Sequence, residues 1–214
     1  MKKRLVLFSF SIIAGLTLIL LINHFSESKN DISTAEGLQN NEFPVIMSSV
    51  EYFLIEDINT LEERSTLIIQ ASFTGNRSQK NWEEISTGEV IARGSKSEIK
   101  VDEIYKGAIE NNASTISIYE PAYFENSTFV SIEGYNLLSE KEDYFLFLRP
   151  AKNDDSYVIV GMYQGKYNLN SSDAMKSVDS IKTYADVKDT EYFGENVDDY
   201  NKLRSQVLEK YLQK

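Results

Sequence analysis

The sequence predicts a mainly β (α+β) protein, a small antiparallel barrel or sandwich with a helix on either side of it in the chain. Three observations predict it. Residues Leu5 to Ile22 carry no charge and follow the cations Lys2, Lys3 and Arg4. Between Thr66 and Tyr163, apolar side chains recur at alternate positions in short runs separated by Gly, Pro, Asn and Asp, as half-buried strands require. From Val197 to Tyr211 they recur at three- and four-residue spacing, the period of an amphipathic helix.

At a rise of about 1.5 Å per residue, a helix from Leu5 to Ile22 spans about 27 Å, close to the hydrocarbon thickness of a bilayer. A cleaved signal has a shorter apolar run, about 7–15 residues, and small residues at its cut site. Asn23-His24-Phe25-Ser26-Glu27-Ser28 fits that pattern poorly, so a retained anchor is expected, with cleavage after Ser28 as the alternative. The expected organisation is a cytoplasmic tip (1–4), a single-pass membrane anchor (5–22), a polar stalk (23–41), an extracellular β-barrel domain (42–169), a linker (170–190) and a C-terminal helix (191–214). The positive-inside rule keeps Lys2, Lys3 and Arg4 in the cytoplasm.

The chain has no cysteine, hence no disulfides and no lipid-bearing cysteine. Exported eukaryotic domains commonly use disulfides, which points to a bacterial cell envelope. In that setting the sequons at Asn76, Asn112, Asn126 and Asn170 read as chance matches. Beyond the three N-terminal cations, 19 Lys and Arg stand against 33 Asp and Glu, a formal charge of −14. That charge repels nucleic acid and anionic lipid, and its ordinary consequence is solubility.

Thr60-Leu61-Glu62-Glu63 has capping-box spacing and predicts a short helix. Leu67, Ile69, Ala71 and Phe73 alternate in a strand that Gly75-Asn76 is expected to end. A second strand is expected at Val90–Arg93 or Ile99–Tyr105, with a bulge near Asp102-Glu103 because Ile104 falls on the face opposite Ile99 and Val101. Thr115–Tyr119 is a strand closed by Pro121, and Phe129–Ile132 adds a short one. Asp143–Arg149 is apolar on both faces and belongs at the centre of the sheet. Tyr157–Tyr163 pairs with it as an antiparallel hairpin across Asn153-Asp154-Asp155. In the last helix Val197, Tyr200, Arg204, Val207 or Leu208, and Tyr211 form the stripe, expected to pack on the protein's own barrel.

Chemistry is constrained mainly by what is missing. The only histidine, His24, lies at the membrane exit, which excludes a histidine-rich zinc centre or Ser-His-Asp triad in the folded core. Cysteine nucleophiles are absent. Ser-x-x-Lys occurs at Ser26–Lys29, in the stalk, and at Ser97–Lys100, in a strand that sends hydroxyl and amine to opposite faces. The acidic pairs Glu56-Asp57, Glu83-Glu84, Asp154-Asp155 and Asp198-Asp199 read as surface turns, and Asn153-Asp154-Asp155 lacks the spacing of a calcium loop. Gly161 and Gly165 permit a bend but form no phosphate loop. Tyr119, Tyr123, Phe124, Tyr135, Tyr163 and Tyr167 fall near strand ends, where exposed rings would offer a stacking platform. No residue is assigned as catalytic, cofactor-binding or metal-ligating, and no cofactor is expected.

The order Ser65–Gly75, Ile99–Gly107, Leu138–Leu148 and Tyr157–Gly165 resembles that of uncharacterised exported or membrane-anchored proteins of Gram-positive bacteria. Their domain is similar to the small OB-like barrel of netrin and tissue metalloprotease-inhibitor modules. The likeness covers about Thr60 to Asn168, consists of packing and turn residues, and implies a barrel and an address without a catalytic residue. The inhibitor modules use an N-terminal cysteine, which this chain lacks. The expectation is a membrane-anchored binding domain for an envelope protein, peptide or cell-wall ligand. An envelope enzyme with a carboxylate site, and a subunit that assembles through its C-terminal helix, are the alternatives.

Overall fold

Residues 42–152, 154–170 and 180–212 are described by a computed structural model of the protein. The expected tip, anchor and stalk, with His24 and Ser26–Lys29, lie outside the described residues, as do Asn153 and much of the expected linker. Among the described residues no helix is long and apolar enough to cross a membrane.

The protein is mainly β, with two sheets. The elements are β1 (Val45–Ser48), α1 (Ile58–Arg64), β2 (Leu67–Glu83), β3 (Val90–Lys106), β4 (Thr115–Glu120), β5 (Ala122–Glu125), β6 (Thr128–Ile132), β7 (Asp143–Pro150), β8 (Tyr157–Ile159), β9 (Lys166–Asn168) and α2 (Val197–Leu212). The larger sheet runs β2-β3-β4-β8-β7-β9, and β7 also pairs with β2, so β2, β3, β4, β8 and β7 form a closed hydrogen-bonded ring. Every neighbour in that ring is antiparallel except β4 and β8, which are parallel. A smaller sheet, β1-β6-β5, joins parallel and antiparallel pairs.

Several local expectations are corrected. The cap of α1 is Asp57, whose Oδ1 accepts from Thr60 N at 2.8 Å, so the helix starts earlier than the Thr60 box implies. Gly75-Asn76 does not end β2. The register slips between Phe73 and Arg77, Gly75 takes φ +90°, and the strand continues to Glu83. The two alternatives for the second strand are one strand, β3. Its pairing skips Asp102, where the bulge was expected, and also Tyr105. The run Tyr157–Tyr163 is strand only to Ile159. Gly161, at φ +66°, turns the chain into a 3-10 turn, Met162–Gly165, that leads into β9. β1 and β5 were not anticipated: β1 is too short for a period, and β5 was masked by Pro121.

β7 is buried from Tyr144 to Leu148, as its two apolar faces require. Beside it Phe145 and Phe147 pack against Tyr211 of α2, with ring centroids 5.3 and 6.0 Å apart. The stripe of α2 buries Tyr200, Leu203 and Val207 on the protein's own core. Tyr200 stacks on Tyr167 and Tyr192, and Glu62 of α1 receives Lys210 Nζ at 2.6 Å and the Tyr211 hydroxyl at 2.6 Å. The described end of the expected linker also belongs to this core. Thr183 bridges to Pro44, Tyr184 N donates to Phe43 O at 2.7 Å, and Val187 is fully buried. The expected divisions at 170 and 191 therefore do not separate the domain from its C-terminal helix.

One close approach fixes this arrangement. Gly134 sits at φ +72°, Phe193 N donates to its carbonyl at 3.0 Å, and a Cβ at Gly134 would lie 2.1 Å from Gly194 N. Gly134→Ala meets both backbone strain and a backbone clash that no side-chain rotation relieves. The expected result is a loss of about 3 kcal/mol or more, measured by urea unfolding. Gly88→Ala is the control, since its positive φ adds strain but its Cβ would meet nothing within 4 Å.

Candidate functional site

Two arrangements of polar side chains stand out, one largely buried within the fold and one open at its surface. The first alternates in charge: Arg77, Glu120, Lys166, Glu191 and Arg204. Glu120 ends β4 with its side chain directed inward, fully buried, and four groups donate to it. Oε2 accepts from Arg77 Nη2 at 3.1 Å and from Ser97 Oγ, while Oε1 accepts from the Tyr135 hydroxyl at 2.9 Å and Leu138 N at 2.8 Å. Burial alone would raise its proton affinity. Arg77, Ser97, Leu138 and Lys166 together outweigh burial and hold Glu120 below the usual carboxylate range.

Lys166 donates to Asn136 O at 2.5 Å and lies 4.4 Å from the centre of the Tyr135 ring. Burial pushes it down to about 8, against the pull of Glu191 and Glu120. Glu191 is displaced the other way: burial raises it, and Lys166, Tyr200, Asn168 and Arg204 only partly compensate. Arg204 Nε closes the series 3.5 Å from Glu191 Oε2. These groups tie β9 and the segment before α2 to the ring. A substrate cannot reach Lys166 or Glu120, each 1% exposed, so neither is a catalytic candidate.

The open arrangement is a cleft of about 440 Å³ between the β3–β4 and β7–β8 loops. It is lined by Glu98 of β3, Ile109, Glu110 and Asn111, Thr115 to Ser117 of β4, and Asp154 to Tyr157. Glu98 and Ser117 are cross-strand partners, which puts them on one face. The same parity sends Ser97 inward to Glu120. Lys100 is instead exposed and pairs with Asp102 at 2.6 Å, so the expected separation within Ser97–Lys100 holds.

Asp154 organises the loop: Oδ1 accepts from Ser156 N at 2.9 Å, and Oδ2 accepts from the Tyr119 hydroxyl. That Tyr119 bond, ahead of a weaker opposing effect of burial, holds Asp154 below its ordinary range. Trp82 meets Tyr119 edge-on, 5.1 Å between centroids, and Lys96 lies 5.7 Å above the Tyr119 ring. An aromatic pair thus adjoins an acidic cleft. A second hollow of about 400 Å³ includes Tyr52, Phe53, Arg64, Arg149 and Met162, but Arg64 already stacks 3.8 Å above Phe53.

The sequence candidates are distributed unevenly. Asp154-Asp155 line the cleft, and Asp57, Glu83-Glu84 and Asp198-Asp199 stand respectively at the α1 cap, the β2–β3 hairpin tip and the first turn of α2. Of the six aromatic candidates, Tyr135, Tyr163 and Tyr167 are core residues, and Phe124 packs on Phe43, Phe129 and Tyr184. Only Tyr119 joins the cleft's surroundings, and sequence reading passed over Glu98, Glu110, Ser156 and Trp82. The alternation of β3 and β4 puts Glu98 and Ser117 on the outer face, but pairing of those strands was needed to bring them together. Four carboxylates, those of Glu98, Glu110, Asp154 and Asp155, are spread along the cleft lining, and Asp154 is shifted opposite to a general acid. Among the described residues no group of three or more His, Asp or Glu is placed to hold a metal ion.

Fold and cleft together define a mainly β protein with a strand-lined acidic cleft and a buried ionic framework. Compared with known proteins, the chain matches no protein-family model and no curated sequence.

Proposed function

We propose that this chain is a membrane-anchored, extracytoplasmic binding domain built on an OB-like barrel, which takes a peptide, protein or cell-wall ligand in the cleft beside Tyr119. The strand order supports the OB reading. Numbering the ring strands one to five along the chain gives the cyclic order 1-2-3-5-4, with only strands three and five parallel. Barrels of this type bind ligands on the face of strands two and three and through the first hairpin loop and the loop between strands four and five. In this chain those are the β3–β4 face, residues 84–89 and residues 151–156. The observation that carries the proposal is the coincidence of that position with the cleft and the Trp82–Tyr119 pair. The uncharged run Leu5–Ile22 supports the anchor and the side of the membrane.

The acidic lining selects against nucleic acid, which many barrels of this type bind. Photocrosslinking in native membranes tests the reading. A benzophenone side chain at Thr115, exposed on the cleft rim, is expected to give a discrete adduct that the same group at Lys202, exposed on α2, does not. Identical adducts from both positions would remove the cleft from consideration.

A further inference from the structure

The second hollow, about 400 Å³, shares no lining residue with the cleft beside Tyr119. Ile55, Ile159 and Val160, each buried, and Met162 give it an apolar lining. Gln164 ties two sides of it together: Oε1 accepts from Ile55 N at 2.7 Å, and Nε2 donates to Gly161 O at 3.1 Å. At the rim Phe53 is 57% exposed and Val50 45%. Large apolar side chains left exposed around a hollow mark a surface that meets something other than water. Arg64 and Arg149 line the same hollow, beside one acid, Glu51. Among the described residues neither arginine forms an ion pair, in a chain of net charge −11. Arg64 stacks 3.8 Å from the Phe53 ring centre, which covers one face of its guanidinium and leaves the N–H edge for a ligand. The segment 51–54 along this rim belongs to no helix or strand, and its four backbone N–H groups donate to nothing among the described residues.

From these groups we infer that the hollow is a second binding site and takes the C-terminal residue of a peptide, with its carboxylate on Arg64 and Arg149 and its apolar side chain on the lining. Guanidinium N–H groups bond a carboxylate in pairs, and such charge-assisted bonds are the strong ones. The open N–H groups of residues 51–54 select a peptide among aliphatic carboxylates, because a peptide brings carbonyl oxygens to meet them and a fatty acid does not. The site lies apart from the cleft beside Tyr119, so it stands or falls independently of the ligand proposed there.

The full-length chain in nonionic detergent is titrated calorimetrically with N-acetyl-Ala-Leu-Leu, with its C-terminal amide, with N-acetyl-Ala-Gly-Gly and with octanoate. The first peptide is expected to bind. Its amide, which keeps the shape and loses the charge, and the glycine peptide, which keeps the charge and loses the apolar side chains, are each expected to bind about tenfold more weakly or worse. Arg64→Gln and Arg149→Gln are each expected to lose about tenfold in affinity for N-acetyl-Ala-Leu-Leu. Both side chains are exposed, so the thermal midpoints are expected to stay, and Lys202→Gln on α2 is expected to change neither quantity. No binding of N-acetyl-Ala-Leu-Leu, equal binding of its amide, or unchanged affinity in both arginine variants would overturn the inference. So would equal binding of the glycine peptide, which removes the apolar contact, or of octanoate, which assigns the hollow to fatty acids. The Thr115 adduct is expected to persist in Arg149→Gln, and its loss would mean that hollow and cleft are one site, which also overturns the inference.

Discussion

A chain ended at Thr190 is expected to lose its fold and to show neither the far-ultraviolet signature of a sheet nor a cooperative thermal transition. The deletion removes Tyr192, Phe193, Tyr200, Leu203 and Val207, all buried. Each such side chain contributes about 1.5–3 kcal/mol by leaving water. Together these reach the whole stability of an ordinary domain, about 5–15 kcal/mol. The deletion also removes Glu191, leaving Lys166 without the charge that offsets its burial most, and uncovers Tyr163 and Tyr167. A cooperative transition near the full chain's midpoint would show that α2 is an appendage, and the assembly-helix alternative would regain force. With α2 part of the core, its role in assembly has to be tested through exposed positions such as Lys202, not by truncation.

The second large effect is expected at Glu120. Glu120→Gln offers one acceptor oxygen where two now take four donors, so in either orientation its amide N–H groups face other donors. Breaking a buried charge pair from one side costs about 3–5 kcal/mol, and Arg77 is the group left behind. The expected measurement is a fall in urea midpoint at neutral pH with little change in slope.

The pH dependence supplies an independent check. Glu120 binds its proton less readily in the folded state than its ordinary value of 4.5, so its contribution is fully present above that value and is lost as pH falls through the folded value. The gap between Glu120→Gln and the parent chain is therefore expected to narrow below about pH 4.5. Glu191 acts in the opposite sense: its raised affinity makes protonation favour the folded state as pH falls through its folded value. A gap that stays constant into strong acid would mean that Glu120 is not ionised in the fold.

Much of the fold was legible because strands and helices leave periodic marks. Leu67, Ile69 and Ala71 alternate and are all buried, the apolar run in β7 is central, and the skipped residue at Asp102 follows from the parity of Ile99, Val101 and Ile104. The α2 stripe was read with Tyr200 and Val207 in place, but Leu203 was missed because Arg204 was assigned its position. The failures share a cause. Gly75 reads locally as a stop, yet continued pairing with β3 carries β2 past it. The Ser- and Asp-rich stretch 170–190 reads as a linker, yet Tyr184 and Val187 enter the core, and Tyr192 and Phe193, expected within the last helix, precede it and pack beside Gly134.

By itself, the sequence determined the β-rich class, most strand positions, the amphipathic C-terminal helix, the absence of thiol chemistry and the strong negative charge. Each is a property of composition or of neighbours a few residues apart. Only the tertiary structure decided that Arg77, Glu120, Lys166, Glu191 and Arg204 form one largely buried series, and that Glu98, Glu110, Asp154 and Ser156 line one cleft. Those groups come from distant parts of the chain. What joins them is the closure of β7 onto β2 and the parallel pairing of β8 with β4, long-range contacts that leave no period in the sequence.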